Sequence, residues 1–308
     1  MVSNAPRLNR IAEGVYAFFG AGPSANSGAI QTREGIVAID AQPSLDLVRA
    51  FRGALAGLGL PLRWLVNTHY HLDHTAGNTL FAPETPILAH TKCFEKFHSI
   101  LGEDIHSGQP INDFDIKLGL LYGPRTHELI SPGDPGDKWI HNRLTTPEFQ
   151  DVIIAPPDHT FADRFEIVLG GRRILLEYLG PAHSDNDIIP HLPDDGVIFT
   201  GDILFVGRFP WMGDGHIDGW IDALGRVAAL DANTAVPGHG PAVRQKEIRE
   251  FRDLLAALRH AVVEALAAGA SEEETVKRAR LPAFDALPLN EMLFPWSVRR
   301  IYRDLSSS

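Results

Sequence analysis

The sequence contains one cysteine, Cys93, in 308 residues. No intramolecular disulfide is therefore available, and a disulfide-stapled secreted scaffold is excluded. Long apolar runs are missing as well. No stretch approaches the roughly 18 consecutive apolar residues that mark a membrane-spanning helix, and the opening MVSNAPRLNRIAEGVYAFFG has no uninterrupted apolar segment of signal-peptide length. These absences make a cytoplasmic setting, with no membrane partner, the simplest expectation. Basic charge is in deficit: 28 Lys and Arg against 39 Asp and Glu leave a net charge of −11, which repels a phosphate backbone and disfavours nucleic acid as a partner. Arg172-Arg173 and Arg299-Arg300 read as solvated or helix-end charges rather than a basic arm.

What is plentiful is apolar surface. A hydrophobic fraction of 44% over this length supports a large core in one domain or one domain with an elaboration. Short runs of β-branched and aromatic residues between Gly, Pro, Asn and Asp predict strands at 15–20, 28–32 and 35–40. Helical spacing predicts a helix at 45–58, followed by a strand at 62–68 buried on both faces. A short helix near 74–81, a strand at 87–90 and a helix containing Cys93 and Phe97 come next. Residues 102–160 are rich in Gly, Pro, Asp and His, and they read as an irregular insertion beside the site. A second strand series is expected at 164–169, 173–179, 187–192 and 197–200, with turns at Gly170-Gly171 and Asp194-Asp195-Gly196. Helices are expected at 217–230 and 248–267, and Ser271 with Glu274 has the spacing of a capping box. Two strand-rich halves with intervening helices predict an α/β protein whose helices cover both faces of packed sheets.

The densest chemical signal is Thr68-His69-Tyr70-His71-Leu72-Asp73-His74, directly after an apolar strand. Histidines one residue apart can point to the same side of an extended segment, and a following turn can aim Asp73 and His74 at a neighbouring point. One metal would then take the first two histidines and another the later pair. Downstream, His183 follows Gly180-Pro181-Ala182, Asp202 follows Thr200-Gly201, and His239 lies in Pro237-Gly238-His239-Gly240. Each places a metal-capable side chain at a strand end near glycine, which permits the sharp turns that bring side chains to one point.

In order and context, His69, His71, Asp73, His74, His183, Asp202 and His239 resemble the full ligand pattern of the metallo-β-lactamase superfamily, over about residues 12–243 apart from the insertion. The resemblance implies a four-layer αβ/βα sandwich, with a catalytic domain at 1–243 and a helical extension at 244–308 packed on it. It also implies that His69, His71 and His183 hold one metal, that Asp73, His74 and His239 hold a second, and that Asp202 bridges them. Asp40, ending the strand GIVAID, matches the family's early aspartate, which supports a ligand imidazole or the ligand loop by hydrogen bonding. Two zinc ions suit these ligands, and iron or manganese accept the same set. The implied activity is hydrolysis by a hydroxide shared between the metals, with Asp73 as the catalytic residue that orients it.

Asp202 together with His74 is similar to the glyoxalase II and lactonase pattern. The segment after Arg244 shows no glutathione-binding arrangement, so the expected substrate is a small ester, lactone, thioester or amide. The principal alternative is a mononuclear iron enzyme similar to the persulfide dioxygenases. A β-lactamase, a nuclease and a non-catalytic metal scaffold rank lower. Arg208, Phe209 and Trp211, close after Asp202, are the candidate substrate contacts, with Tyr122 and Trp139 of the insertion as candidate covers. His106, His127, His141, His159 and His216 read as dispersed loop residues, Tyr70 as a packing residue and Cys93 as a buried thiol. The apolar stripe of Phe251, Leu254, Leu255, Leu258, Val262 and Leu266 faces the core or a homodimer partner.

Overall fold

Alternation along the first strands decides the layering. In β4 (Ile36–Ile39), Val37 and Ile39 face one core cluster while Ile36 and Ala38 face another. The computed structural model describes residues 7–20, 24–82, 84–102, 105, 108–131 and 133–307. In it, β1 (Leu8–Ala12), β2 (Val15–Phe18), β3 (Ser27–Gln31), β4, β5 (Leu62–Val66), β6 (Ile87–His90) and β7 (His159–Phe161) form a seven-stranded sheet in sequence order. Pairing is antiparallel up to β4 and parallel from there to β7. The second sheet contains β8 (Arg164–Leu169), β9 (Arg172–Tyr178), β10 (Ile188–Leu192), β11 (Val197–Phe205) and β12 (Thr234–His239), ordered β12-β11-β10-β9-β8. Within it, only β11 and β12 run parallel.

Between the sheets, Val15, Ala17, Ile30 and Val37 meet Ile174, Leu176, Ile188 and Phe199 in one buried cluster. The outer face of the first sheet packs Ile36, Ala38 and Leu65 against Val48, Phe51 and Leu55 of α1 (Leu45–Ala56), whose N-cap Ser44 accepts from Leu47 N. The remaining helices are α2 (Leu72–Thr75), α3 (Thr91–Leu101), α4 (Phe114–Tyr122), α5 (Pro135–Leu144), α6 (Ile217–Ala229), α7 (Gln245–Ala267), α8 (Glu272–Arg278), α9 (Pro282–Asp285) and α10 (Asn290–Ser306). On the outer face of the second sheet, Ile189, Ile198 and Ile203 pack with Trp220 and Leu224 of α6 and with Leu255, Leu258 and Val262 of α7. The order helix, sheet, sheet, helix is the four-layer α/β sandwich. Full burial of one such large apolar side chain contributes about 1.5–3 kcal/mol.

Three expectations change. Residues 102–160 are not irregular throughout: α4 and α5 lie there, because residues that read as loop formers are helix starts. Asp113 caps α4 by accepting from Ile116 N, and Asp134 precedes Pro135 at the first turn of α5. The strand expected at 62–68 stops at Val66, and Arg63 within it is exposed rather than buried. The strand expected to end at 200 continues through Phe205, so Asp202 lies inside β11. Among the described residues, no helix is long and apolar enough to cross a membrane.

Candidate metal centre

Asp40 follows β4, and Thr68 and His69 follow β5. His71 occupies the N-cap position of α2, which carries Asp73 and His74. His183 lies in the loop after β9, Asp202 within β11 and His239 at the end of β12. Because β4 pairs with β5 and β11 with β12 in parallel, their chains emerge together at the strand C-terminal ends, where α/β sheets place ligands. Two glycines make the convergence possible. Gly201, at φ 50°, sits in the register shift of β11 that redirects Asp202. At Gly238 an added Cβ would overlap Asp202 Oδ1, so only glycine lets β12 pass this close.

All seven donors nominated by the sequence meet here. His69, His71, His183 and Asp202 form one group and Asp73, His74 and His239 another, with the donor atoms of each within 4.8 Å of one another. His71 Nδ1 lies 2.9 Å from His183 Nε2, which is 3.4 Å from Asp202 Oδ2. His239 Nε2 lies 3.3 Å from Asp73 Oδ2 and 3.5 Å from Asp202 Oδ2, and His74 Nε2 is 3.1 Å from Asp202 Oδ1. Two donors each about 2.1 Å from a tetrahedral cation stand about 3.4 Å apart, so these spacings fit a divalent first-row metal. The carboxylate of Asp202 reaches both groups. Buried His69 Nε2, His74 Nε2 and Asp202 Oδ1 have no hydrogen bond among the described residues. Such atoms cost about 1–3 kcal/mol each unless a ligand completes them.

Outer hydrogen bonds orient the rings. His74 Nδ1 donates to Asp40 Oδ2 at 2.8 Å, and His183 Nδ1 donates to the Trp211 carbonyl at 3.0 Å. Thr68 Oγ1 donates to Asp40 Oδ2 and lies 3.1 Å from His69 Nδ1, while Thr68 N donates to Asp40 Oδ1 at 2.8 Å. With protons held on Nδ1, Nε2 of His69, His74 and His183 faces the cluster. Asp40 holds φ 55°, an uncommon conformation for a residue with a side chain, and its two oxygens thereby reach both Thr68 and His74. Sequence reasoning does not single out Thr68; its position beside His69 is the one available signal.

Burial lowers the pKa of His69 and His71 well below the ordinary range, with neighbouring imidazoles adding to it, and brings His183 down to about 4 by burial against the pull of Asp202. These rings are neutral donors at neutral pH. His74 is drawn the other way: burial is outweighed by Asp202, Asp40 and Asp73, and its pKa rises.

Beside the donors is a cavity of about 20 Å³, bounded by His71, Asp73, His183, Asp202 and His239 and by Leu121, Tyr122, Trp139, Arg143, Phe205, Arg208 and Trp211. That volume holds about one water, so a substrate of several atoms must displace wall side chains. Arg208 and Trp211 line it, as does Tyr122. Phe209 does not: it is fully buried against Phe284 and Phe294, at ring distances of 4.9 and 5.8 Å, because the chain turns it towards the C-terminal helices. Sequence reasoning misses Arg143, since nothing in its local sequence reveals that α5 packs over the site. Tyr70 packs in the core and donates from its hydroxyl to Asp214 at 2.9 Å, and Cys93 is a buried thiol. His127, His141, His159 and His216 are exposed and stand outside both donor groups, and His106 lies outside the described residues.

Two packed sheets with a His and Asp cluster at their strand ends define the class, a four-layer α/β sandwich with a candidate metal centre. The sequence profile of the Metallo-beta-lactamase superfamily matches residues 21–239. The chain belongs to that superfamily, which is made up largely of hydrolases. It is 23% identical over 266 residues to a linear primary-alkylsulfatase of Pseudomonas sp. (strain ATCC 19151), covering 82% of this chain and 49% of that protein. It is 25% identical over 245 residues to the 2,4-dinitroanisole O-demethylase subunit alpha of Nocardioides sp. (strain JS1661), covering 78% and 60%. The chain thus spans only about half the length of these curated relatives. Among solved structures, a metallo-beta-lactamase family protein from Thermus thermophilus matches with a TM-score of 0.67 at 18% identity, covering 97% of this chain and 95% of that one.

Proposed function

We propose that this protein is a binuclear metal-dependent hydrolase of small ester, lactone, thioester or amide substrates, with two zinc ions as its resident metals. The observation that carries the reading is Asp202, whose Oδ1 faces His74 and whose Oδ2 faces His183 and His239. A carboxylate shared in this way serves two cations better than one. A divalent pair supplies Lewis acidity and brings the pKa of water from 15.7 towards about 7. The protein contributes the rest. His69, His71 and His183 hold one position, Asp73, His74 and His239 the other, and Asp40 fixes the imidazole of His74. Asp73 has its Oδ2 3.3 Å from His239 Nε2 and borders the cavity, so it can also accept a hydrogen bond from the attacking hydroxide and hold it in position. Ester cleavage accords with the name of one relative, an alkylsulfatase, since an alkyl sulfate is an ester.

The test is elemental analysis of protein purified without added metal or chelator, with a screen of esters, lactones and thioesters, for the native chain, Asp202→Ala and Asp73→Asn. About two zinc per chain, lost in Asp202→Ala, with hydrolysis lost in Asp73→Asn, is the expected result. One iron per chain without hydrolysis would favour the oxygenase alternative. An active, folded protein free of metal would overturn the reading.

A further inference from the structure

We propose that the protein associates with a second copy of itself through the open edge of β8, by antiparallel strand pairing about a two-fold axis at Glu166. The association is independent of the hydrolase reading. β8 ends the order β12-β11-β10-β9-β8, so one of its sides has no neighbouring strand among the described residues. Which groups face that side follows from the hairpin with β9. The register sets Phe165 opposite Leu176, Ile167 opposite Ile174 and Leu169 opposite Arg172, and Tyr178 N donates to the Asp163 carbonyl at 2.9 Å. In an antiparallel ladder every second pair exchanges both main-chain hydrogen bonds, so Asp163, Phe165, Ile167 and Leu169 bond to β9. The N–H and C=O groups of Arg164, Glu166 and Val168 therefore point away from β9, along an edge without bulge, lysine or proline.

Side chains single out the same strand. Among the described residues, the exposed large hydrophobics are Phe165, 37% exposed, and Val168, 66% exposed. The charges of the edge are neutralised within the copy: Arg164 pairs with Glu177 at 3.1 Å and Glu166 with Arg173 at 2.7 Å. This balanced patch lets two chains of net charge −11 meet without local repulsion. The apolar stripe of α7 is no rival, since its Phe251, Leu255, Leu258 and Val262 are buried in the core.

The occupant is a second copy because the strand is complementary to itself. A two-fold axis normal to the sheet keeps each side chain on its own face. With that axis at Glu166, Arg164 meets Val168 of the second copy and Phe165 meets Ile167 of the second copy. The outward N–H and C=O groups of Arg164, Glu166 and Val168 are then all satisfied. Phe165 and Ile167 form the narrow pairs, where side chains approach most closely, and the stem of Arg164 covers Val168. The two Glu166 carboxylates lie opposite each other, each between Arg173 of its own copy and Arg164 of the second copy, so their like charge is compensated. The five-stranded sheets of the two copies become one continuous sheet.

Analytical ultracentrifugation of the native chain should show a dimer that dissociates on dilution, and a monomer at every concentration overturns the proposal. Val168→Pro removes an outward N–H and no bond to β9, so circular dichroism should report a retained fold. Its dimer should be about 30-fold weaker, through loss of two intermolecular hydrogen bonds. An unweakened dimer of folded Val168→Pro overturns the proposal as well. Cysteine cross-linking reads the register without background, because Cys93 is buried. Glu166 α-carbons across the axis stand about 5.5 Å apart, within disulfide range, whereas those of Val168 are offset by about 13 Å of strand. Glu166→Cys should form a disulfide-linked dimer on mild oxidation and Val168→Cys should not. Equal yields from the two, or a greater yield from Val168→Cys, overturn the pairing, and this comparison decides alone if Val168→Pro fails to fold.

Discussion

Asp40→Asn separates support of the metal centre from support of the fold. Asp40 accepts three hydrogen bonds of 2.8 Å, from Thr68 N at Oδ1 and from Thr68 Oγ1 and His74 Nδ1 at Oδ2. Asparagine keeps an oxygen for Thr68 N and tolerates the backbone at φ 55° well. It places an N–H₂ group where Oδ2 accepted. The Thr68 hydroxyl can rotate, but His74 can answer a donor only by presenting a lone pair at Nδ1, which moves its proton to Nε2, the atom that faces Asp202. The second donor group then loses an imidazole acceptor. Loss of such an outer partner lowers metal affinity by about 10- to 100-fold, or about 1.4–2.7 kcal/mol. The metal-free fold loses about 1–3 kcal/mol from the charged hydrogen bonds. Asp40→Ala removes all three bonds and is expected to cost the fold about twice as much. Competition with a chromophoric chelator reads the metal affinity, and urea denaturation of the chelated proteins reads the fold. A folded Asp40→Asn protein that binds metal with native affinity would refute the argument.

Other perturbations probe different parts of the molecule. Arg299, buried in α10, pairs with Asp134 at 2.6 Å and with Glu273 at 2.9 Å, and donates to the Leu129 carbonyl. Arg299→Ala should destabilise the protein by about 2 kcal/mol through loss of these charged hydrogen bonds, Asp134 keeping those from Ser131 N and Trp296 Nε1, and a loss below about 0.5 kcal/mol in urea would show the clasp to be dispensable. Gly238→Ala should lower bound metal in elemental analysis, because the new methyl displaces Asp202; full metal content would contradict that close approach. Burial, opposed by Lys96, pushes Asp214 from 3.8 up to about 6. Between about pH 4 and 6 the native state therefore binds more protons than the unfolded state, so stability falls as pH rises through that window. Asp214→Asn should flatten that slope, worth at most about 3 kcal/mol, and an unchanged slope in denaturation series at pH 4.5 and 7.5 would refute the assignment.

Much of the candidate donor set is legible in the sequence because its spacing is local. His69, His71, Asp73 and His74 fall within six residues, and His183, Asp202 and His239 each lie in or just after an apolar stretch, beside or near glycine. Strand alternation likewise points to the two sheets, since period-two burial is a property of adjacent residues. The insertion is harder to read: Asp113, Asp134 and Pro135 are loop formers in isolation and helix starts once Leu118, Leu121 and Ile140 find a core to enter. The same dependence hides α10, whose Trp296 and Arg299 are explained by Asp134, more than 160 residues earlier. Phe209 and Arg208 are chain neighbours, yet one fills the core and the other borders the donors. Residue type and spacing thus settle which atoms are able to bind a metal and where strands run. Which wall surrounds those atoms depends on contacts between distant segments, whose free energy exists only when the whole chain has closed around them.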